Sequence, residues 1–509
     1  MESLRYLMYG FSVALTPVNI LWTIIGCSLG TVLGMLPGVG PATGIALLLP
    51  LSFTMKPVTA IVTMCGVFYG AMFGGSRSSI LLNIPGDASA VVSCFDGYPM
   101  AKNGQAEAAL AISAIASLIG TLLAGIAFVF AALPIARFAL RFGPPEYFTL
   151  MVFALAATAS ISKGSILKGL ISLVFGLMIT TVGIDLQSGV QRFVFGIPEL
   201  QTGIEFVIVI IGVYGLGEVF KNFERIKATG GAPIQTKFKR IWITMEQWRR
   251  SIGPILRQTP VGFFVGVLPG TGGAIATMMA YNNEKQLSKE PDRFGKGAIE
   301  GLAAPEAANN ACSIGAVVTT LTLGVPGSAT AALLLGALMI AGLQPGPLLF
   351  QQHPEIGWGV IASLFVGNFI CAVINIPLAG LLVRVLSVPP KILYPLIVGL
   401  AFMGVYTINL QVMDFYLVVI FGIIGYFMKK YRVPAAPLIL AVVVGGSLEQ
   451  SFRQSLMLSD GEMGIFFRSG ICITLWILAV VFLLYPYLSD YLKARRQRSA
   501  ASPGGKAQA

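Results

Sequence analysis

The side chains able to do chemistry in this sequence are few and stand in unusual company. Arg77 lies within FGGSRSSILL, an otherwise apolar run, and an ionisable residue in such a run is by default a functional candidate. Its guanidinium suits a bidentate grip on a substrate carboxylate; it also suits a structural ion pair with Asp87 or Glu306, the reading placed slightly ahead. Asp87, Glu300 and Glu306 can bind a coupling cation or a proton, with Tyr281, Asn282 and Asn283 adding neutral oxygens, whereas Glu284 reads as part of a solvated loop. Around them stand small hydrogen-bonding residues: Ser76, Ser78, Ser79, Asn83 and Ser89 early in the chain, and Thr271, Asn309, Asn310, Ser328 and Thr330 later. Close helix packing explains about half of the hydroxyls, but it explains asparagine poorly.

These residues cluster at four places where helices should be continuous and are not. GMLPGVGPATG (Gly34 to Gly44) and GVLPGTGGAIA (Gly266 to Ala276) are one pattern written twice, and IPGDASA (Ile84 to Ala90) is matched by VPGSATA (Val325 to Ala331). Pro37 and Pro269 remove backbone donors, and Gly38, Gly40, Gly270 and Gly272 weaken what remains; Gly86 and Gly327 sit in the two turns. An unpaired backbone group in hydrocarbon costs several kcal/mol, so such breaks survive where they line a polar cavity or are buried in protein. At each break a half-helix begins, and its free amides carry about half a positive charge, suited to an anion.

The composition sets the frame. Of 509 residues, 55% are hydrophobic and 11% charged, where a soluble domain has roughly a quarter charged. The expected fold is therefore all-α and polytopic, with ten to twelve crossings among apolar segments such as 18–36, 57–75, 108–134, 258–280 and 356–382. Residues 1–16 read as a retained lead-in or interfacial helix. A first membrane repeat covers 17–220, a basic cytoplasmic loop 221–257, a second repeat 258–448, a final spanning region 449–488 and a basic tail 489–509. From Lys221 to Arg257 there are nine basic residues against two acids. That loop, the Lys429, Lys430, Arg432 cluster and the tail mark cytoplasmic sides and need no nucleic acid to explain them. The six cysteines are unpaired in spacing, and His353 is the sole histidine, which argues against a metal or histidine-relay centre.

The matched breaks belong to a longer duplication. IASLIG (Ile115 to Gly120) answers IASLFVG (Ile361 to Gly367), and FGPPEYF (Phe142 to Phe148) answers SVPPKIL (Ser387 to Leu393). The offsets drift slowly, from 232 residues (Gly34 to Gly266) through 241 (Pro85 to Pro326) to 245 (Pro144 to Pro389). Lys163 and Lys168 open the run 164–182, while Lys429, Lys430 and Arg432 close its counterpart 413–428, so the two runs should cross in opposite directions. Two inverted repeats with broken, re-entrant helices meeting near the midplane are a common plan for secondary transporters.

Several blocks also carry a resemblance: FGGSRSSILLNIPGDAS, the following DGYPMAKNGQAEAAL, GVLPGTGGAIATMMAYNNEKQLSK, FGKGAIEGLAAPEAANNA, and LTLGVPGSATAALLLGAL with GLQPGPLLF. From about Gly10 to Gly470 the chain resembles the large membrane subunit of tripartite tricarboxylate transporters. The resemblance implies a bacterial inner-membrane permease driven by a sodium or proton gradient, a small four-span membrane partner, a periplasmic substrate-binding protein, and cargo of the citrate type. It also implies a small residue where this chain has Arg77. The resulting expectation is a secondary carboxylate importer without cofactor, its anion held by backbone amides at Gly38 to Gly40 and Gly270 to Gly272 and by the hydroxyl and amide side chains. The alternative is a membrane-embedded enzyme acting on a lipid or prenyl phosphate, a weaker reading because clustered aspartates and catalytic histidines are missing from the sequence.

Overall fold

The computed structural model describes residues 2–36, 39–161, 166–185, 188–225, 242–378, 395, 398–399, 401–403, 405–406 and 409–484. Pro37, Gly38, Lys163, the SVPPKIL block, residues 226–241 of the basic loop and the basic tail lie outside them.

The first half opens with α1 (Glu2–Ala14), α2 (Pro17–Met35), the short α3 (Pro41–Leu48) and α4 (Pro57–Leu82). Proline occupies the first turn of α2, α3 and α4, where its missing N–H is not needed. Next come α5 (Ser93–Met100), α6 (Ala106–Ala139), α7 (Pro144–Ile161) and α8 (Ile166–Thr180). An antiparallel pair of two-residue strands, β1 (Gly183–Ile184) and β2 (Gln191–Arg192), caps the end of α8; α9 (Phe206–Ile210) and α10 (Gly217–Arg225) follow, joined by a π-helical stretch. The second half has α11 (Met245–Val267), α12 (Gly272–Leu287), α13 (Ile299–Leu323), α14 (Ala329–Ile340), α15 (Leu349–Gln352), α16 (Pro354–Asn375), α17 (Met413–Lys430), α18 (Ala435–Leu458) and α19 (Gly470–Leu484).

Among the described residues, five helical stretches are long and apolar enough to cross a membrane unaided: Pro17–Met35, Pro57–Leu82, Ser93–Ala139, Pro354–Asn375 and Ala435–Leu458. The chain is an all-α polytopic membrane protein. Among the described residues some of the expected apolar segments are divided by the breaks; segment 258–280, for example, is split between α11 and α12.

Two helix pairs form the centre, and they are built alike. α2 and α4 run parallel and touch through glycine: a methyl on Gly30 would lie 2.2 Å from the Val67 carbonyl oxygen, and one on Gly34 2.3 Å from that of Ala71. α11 and α13 repeat this, with Gly262 2.2 Å from the Ala308 oxygen and Gly266 2.1 Å from that of Cys312 by the same measure. Such contact needs residues without side chains. α4 ends at Asn83 in the left-handed conformation (φ 57°), its N–H bonded to the Ser78 carbonyl; α13 ends at Gly324 (φ 70°), bonded to Thr319. Each of these second-half residues stands 232 or 241 positions after its first-half equivalent.

Where α4 meets α13 the residue order is reversed. Ser76 bonds Glu306, and Ile80 and Leu302 both flank Gly97, so the two equivalent helices run antiparallel. Asp96 fastens this junction by accepting from the N–H groups of Gly295, Gly297 and Ala298 at 2.8–2.9 Å, in the link between α12 and α13. α4 is buried on nearly every face, as its lack of a polar side requires.

Candidate substrate site

All four breaks open on one cavity of about 920 Å³. Its wall includes Gly40 to Thr43 from the first break, Ile84 to Ser89 from the second, Gly270 to Ile275 from the third, and Pro326 with Ser328 to Thr330 from the fourth. Four helices begin here: α3 after Gly40, α12 after Thr271, α14 after Ser328 and α18 after Pro434. The first-turn amides of a helix have no intrahelical acceptor, so four positive dipole ends face one space. Ser328 uses its hydroxyl to accept from Ala331 N at 3.1 Å, and Gly270 N donates to the Gly327 carbonyl at 3.0 Å, tying the third break to the fourth. Gly270 has φ 76° and lies against Thr158, where a methyl would stand 2.3 Å from the Thr158 Cα. Backbone conformation and space both demand glycine there.

Of the residues singled out from sequence, the cavity gathers Gly40, Gly86, Asp87, Ser89, Gly270, Thr271, Gly272, Ser328 and Thr330. Pro269 is buried behind the wall, and Asn83 serves as the helix cap of α4. Ser78 and Ser79 satisfy carbonyls instead, both accepted by Gly75 O at 3.1 Å, with Ser79 also donating to Ala90 O at 2.9 Å and so pinning the second break.

Glu306 belongs to a separate cluster. Ser76, Ser93 and Ser117 donate their hydroxyls to its buried carboxylate, and Asn310 Nδ2 donates to Ser117 Oγ at 2.8 Å. Arg77 is also fully buried; it donates to Ser113 Oγ at 2.7 Å and to the Asn375 carbonyl at 3.4 Å, and its Nε is unpartnered. The expected direct pairing of Arg77 with Asp87 or Glu306 is therefore corrected: neutral groups take its hydrogen bonds, and Glu306 acts on it through the field alone. Asn282 is corrected too. α12 continues unbroken to Leu287, which carries residue 282 about 15 Å past the break, onto an exposed face. Glu284 is buried rather than solvated, gripped by Arg257 (2.7 and 3.1 Å) and Gln258 (2.7 Å), while Glu300 pairs with Arg250 at 3.3 Å.

The cavity also contains residues that sequence reasoning placed elsewhere. Lys429 and Arg432 stand on its wall, with Glu218, which pairs with Lys429. Their clustering marked a membrane side, and nothing local signals that α17 returns to the breaks. Thr43, Thr158 and Tyr214 complete the polar lining. Among the described residues no group of three or more His, Cys, Asp or Glu side chains is placed to hold a metal ion. A second cavity of about 930 Å³ lies at the other ends of α2 and α4, lined by Asn19, Trp22, Lys56, Thr59, His353 and Glu355 among others.

Residues 20–440 match the model of the tripartite tricarboxylate transporter TctA family. An uncharacterised 52.8 kDa protein of the TAR-I ttuC' 3' region of Agrobacterium vitis is 42% identical over 477 residues, covering 93% of this chain and 94% of the relative. An uncharacterised protein of the TAR-II ttuC' 3' region of the same organism is 39% identical over 236 residues, 46% of this chain and 98% of the relative. No solved structure matches. A polytopic helical chain with broken helices around one cavity, matched to the family model over most of its length, belongs to the tripartite tricarboxylate transporter TctA family, a family of transporters and not of enzymes.

Proposed function

We propose that this chain is the permease of an ion-gradient-driven carboxylate importer in a bacterial inner membrane. It receives its cargo from a periplasmic binding protein and works with a small four-span membrane subunit. The observation that carries the substrate class is the meeting of four helix N-termini, with Lys429 and Arg432, on one cavity. Each helix end contributes about half a positive charge, which favours a carboxylate. A volume of about 920 Å³ suits a small polycarboxylate with some of its water.

The antiparallel meeting of α4 with α13 supports an inverted repeat. Lys168 bonds the Tyr431 carbonyl at 2.7 Å and Lys221 lies 5.9 Å over the Tyr426 ring, so these cations and Lys429 gather at one end of the molecule, beside the cavity wall. By the positive-inside rule that end is cytoplasmic and the cavity faces inward. Transport then requires the four break regions to move against α6 and α16, exposing the same site outward.

The test is uptake of labelled citrate and other mono-, di- and tricarboxylates into vesicles holding the three proteins, with sodium and pH gradients imposed separately. Uptake that follows one gradient and survives ATP depletion supports the proposal. Absence of uptake of every carboxylate by a complex shown to assemble would overturn the substrate class.

A further inference from the structure

Just behind the wall of a cavity that attracts anions, one patch has the opposite chemistry. Asn309, on α13, is 2% exposed, and its Oδ1 is buried without a hydrogen-bond partner. That oxygen lies against Gly273 in the first turn of α12, 2.5 Å from where a methyl on Gly273 would stand. Ser89 Oγ, from the second break, lies 3.5 Å from the same point. Ser89 in turn donates to the Asp87 carboxylate at 2.8–2.9 Å, leaving its oxygen lone pairs for another partner. The Gly34 carbonyl, in the last turn of α2, is also near: it and Asp87 Oδ1 are each 3.7 Å from one point beside Gly75. A helix C-terminal turn carries the negative end of its dipole.

We infer a site for a monovalent hard cation, probed here with sodium, held by Asn309 Oδ1, Ser89 Oγ and the Asp87 carboxylate at the junction of the two halves. The ligand atoms are all oxygens, which suits a hard cation, and the single carboxylate charge suits a monovalent ion better than a divalent one. A buried amide oxygen without a partner is costly, and a bound cation supplies that partner. The inference rests on the transport reading, to which it adds a place for a coupling cation. A cation here lies just behind the wall of the anion cavity, so each ligand raises the affinity of the other, and by the same factor. Glu306 takes no part: three serines saturate its carboxylate in a separate cluster.

The experiment is thermal unfolding of the purified full-length chain in detergent, without carboxylate, as sodium chloride replaces choline chloride at constant ionic strength. A saturating rise in midpoint is expected for the unmodified chain, because a ligand that binds the folded state stabilises it. Asn309→Ala and Ser89→Ala each should need at least about tenfold more sodium for the same rise. Thr330→Ala, on the equivalent turn of the other half, should keep the original response. An unmodified chain indifferent to sodium, or both the Asn309→Ala and Ser89→Ala chains titrating like it, overturns the site. So does an Asn309→Ala chain whose sodium response is intact while its carboxylate affinity falls, since the amide would then be serving the anion. If Asn309→Ala does not fold, Ser89→Ala decides alone. No carboxylate is present, so the result stands whatever the uptake assay returns.

Discussion

The α2–α4 pair and the α11–α13 pair share a backbone and differ in chemistry. Gly34 against Ala71 and Gly266 against Cys312 are the same contact, and Gly86 and Gly327 approach the carbonyls of Gly34 and Gly266 in the same way, at 2.2 and 2.4 Å from an added methyl. At the offset of 241, however, Asp87 corresponds to Ser328, Arg77 to Val318, and Cys65 to Glu306. Steric need fixes the glycines twice over, because no other residue allows that approach. The charges occur once each, so a duplicated frame surrounds an asymmetric site. One turn brings a carboxylate to the cavity and its twin brings a helix cap.

The largest effect that would test this contrast is at Glu306. Glu306→Ala removes the acceptor of three buried hydroxyls and leaves the buried Arg77 without a counter-charge, which should destabilise by about 3–5 kcal/mol. Its counterpart change, Cys65→Ala, removes only a buried sulfur and should cost about 1 kcal/mol. Denaturant unfolding in detergent compares the two, and equal losses would make the asymmetry structurally empty. Next come Gly34→Ala and Gly266→Ala, each forcing a methyl onto a carbonyl oxygen. Both should cost about 1–3 kcal/mol and by similar amounts; a large loss in only one half would show that the halves do not share their packing. Smallest is the first-turn pair. Gly272, at φ 64°, should lose about 1–2 kcal/mol on change to Ala. Gly40, at φ −69°, holds a conformation any residue adopts, so Gly40→Ala presses instead on the Asp87 Cβ, 2.9 Å from the new methyl. Its effect should appear in the sodium response more than in the unfolding midpoint.

The breaks were legible because proline and glycine are conspicuous in apolar sequence, and the matched glycine contacts of the two helix pairs because their offsets drift slowly. The family could be read from blocks such as APEAANNA for the same reason: small and polar residues carry information there. Side-chain destinations were harder. Asn282 and Gly272 are close in sequence, but an unbroken helix separates them in space. Glu284 looked solvated among charged neighbours until α11 supplied Arg257 and Gln258 across the interface. Lys429 and Arg432 read in the sequence only as a marker of a membrane side, and their place on the cavity wall was concealed, since that depends on how α17 packs against the breaks rather than on any local pattern. Ser93 and Ser117, which complete the Glu306 cage, carry no distinguishing signal among many membrane serines.

The claim that the four breaks form the carboxylate site is tested most directly by protection from alkylation. Five of the six native cysteines are buried, and replacing Cys94 with Ser gives a quiet background. In it, Ser328→Cys places a thiol on the cavity at the breaks and Thr16→Cys places one on the second cavity. A transported carboxylate should slow maleimide labelling of the Ser328→Cys chain at concentrations that saturate uptake and leave the Thr16→Cys chain unaffected. Protection confined to the Thr16→Cys chain would contradict the assignment and move the substrate to the other end of α2 and α4.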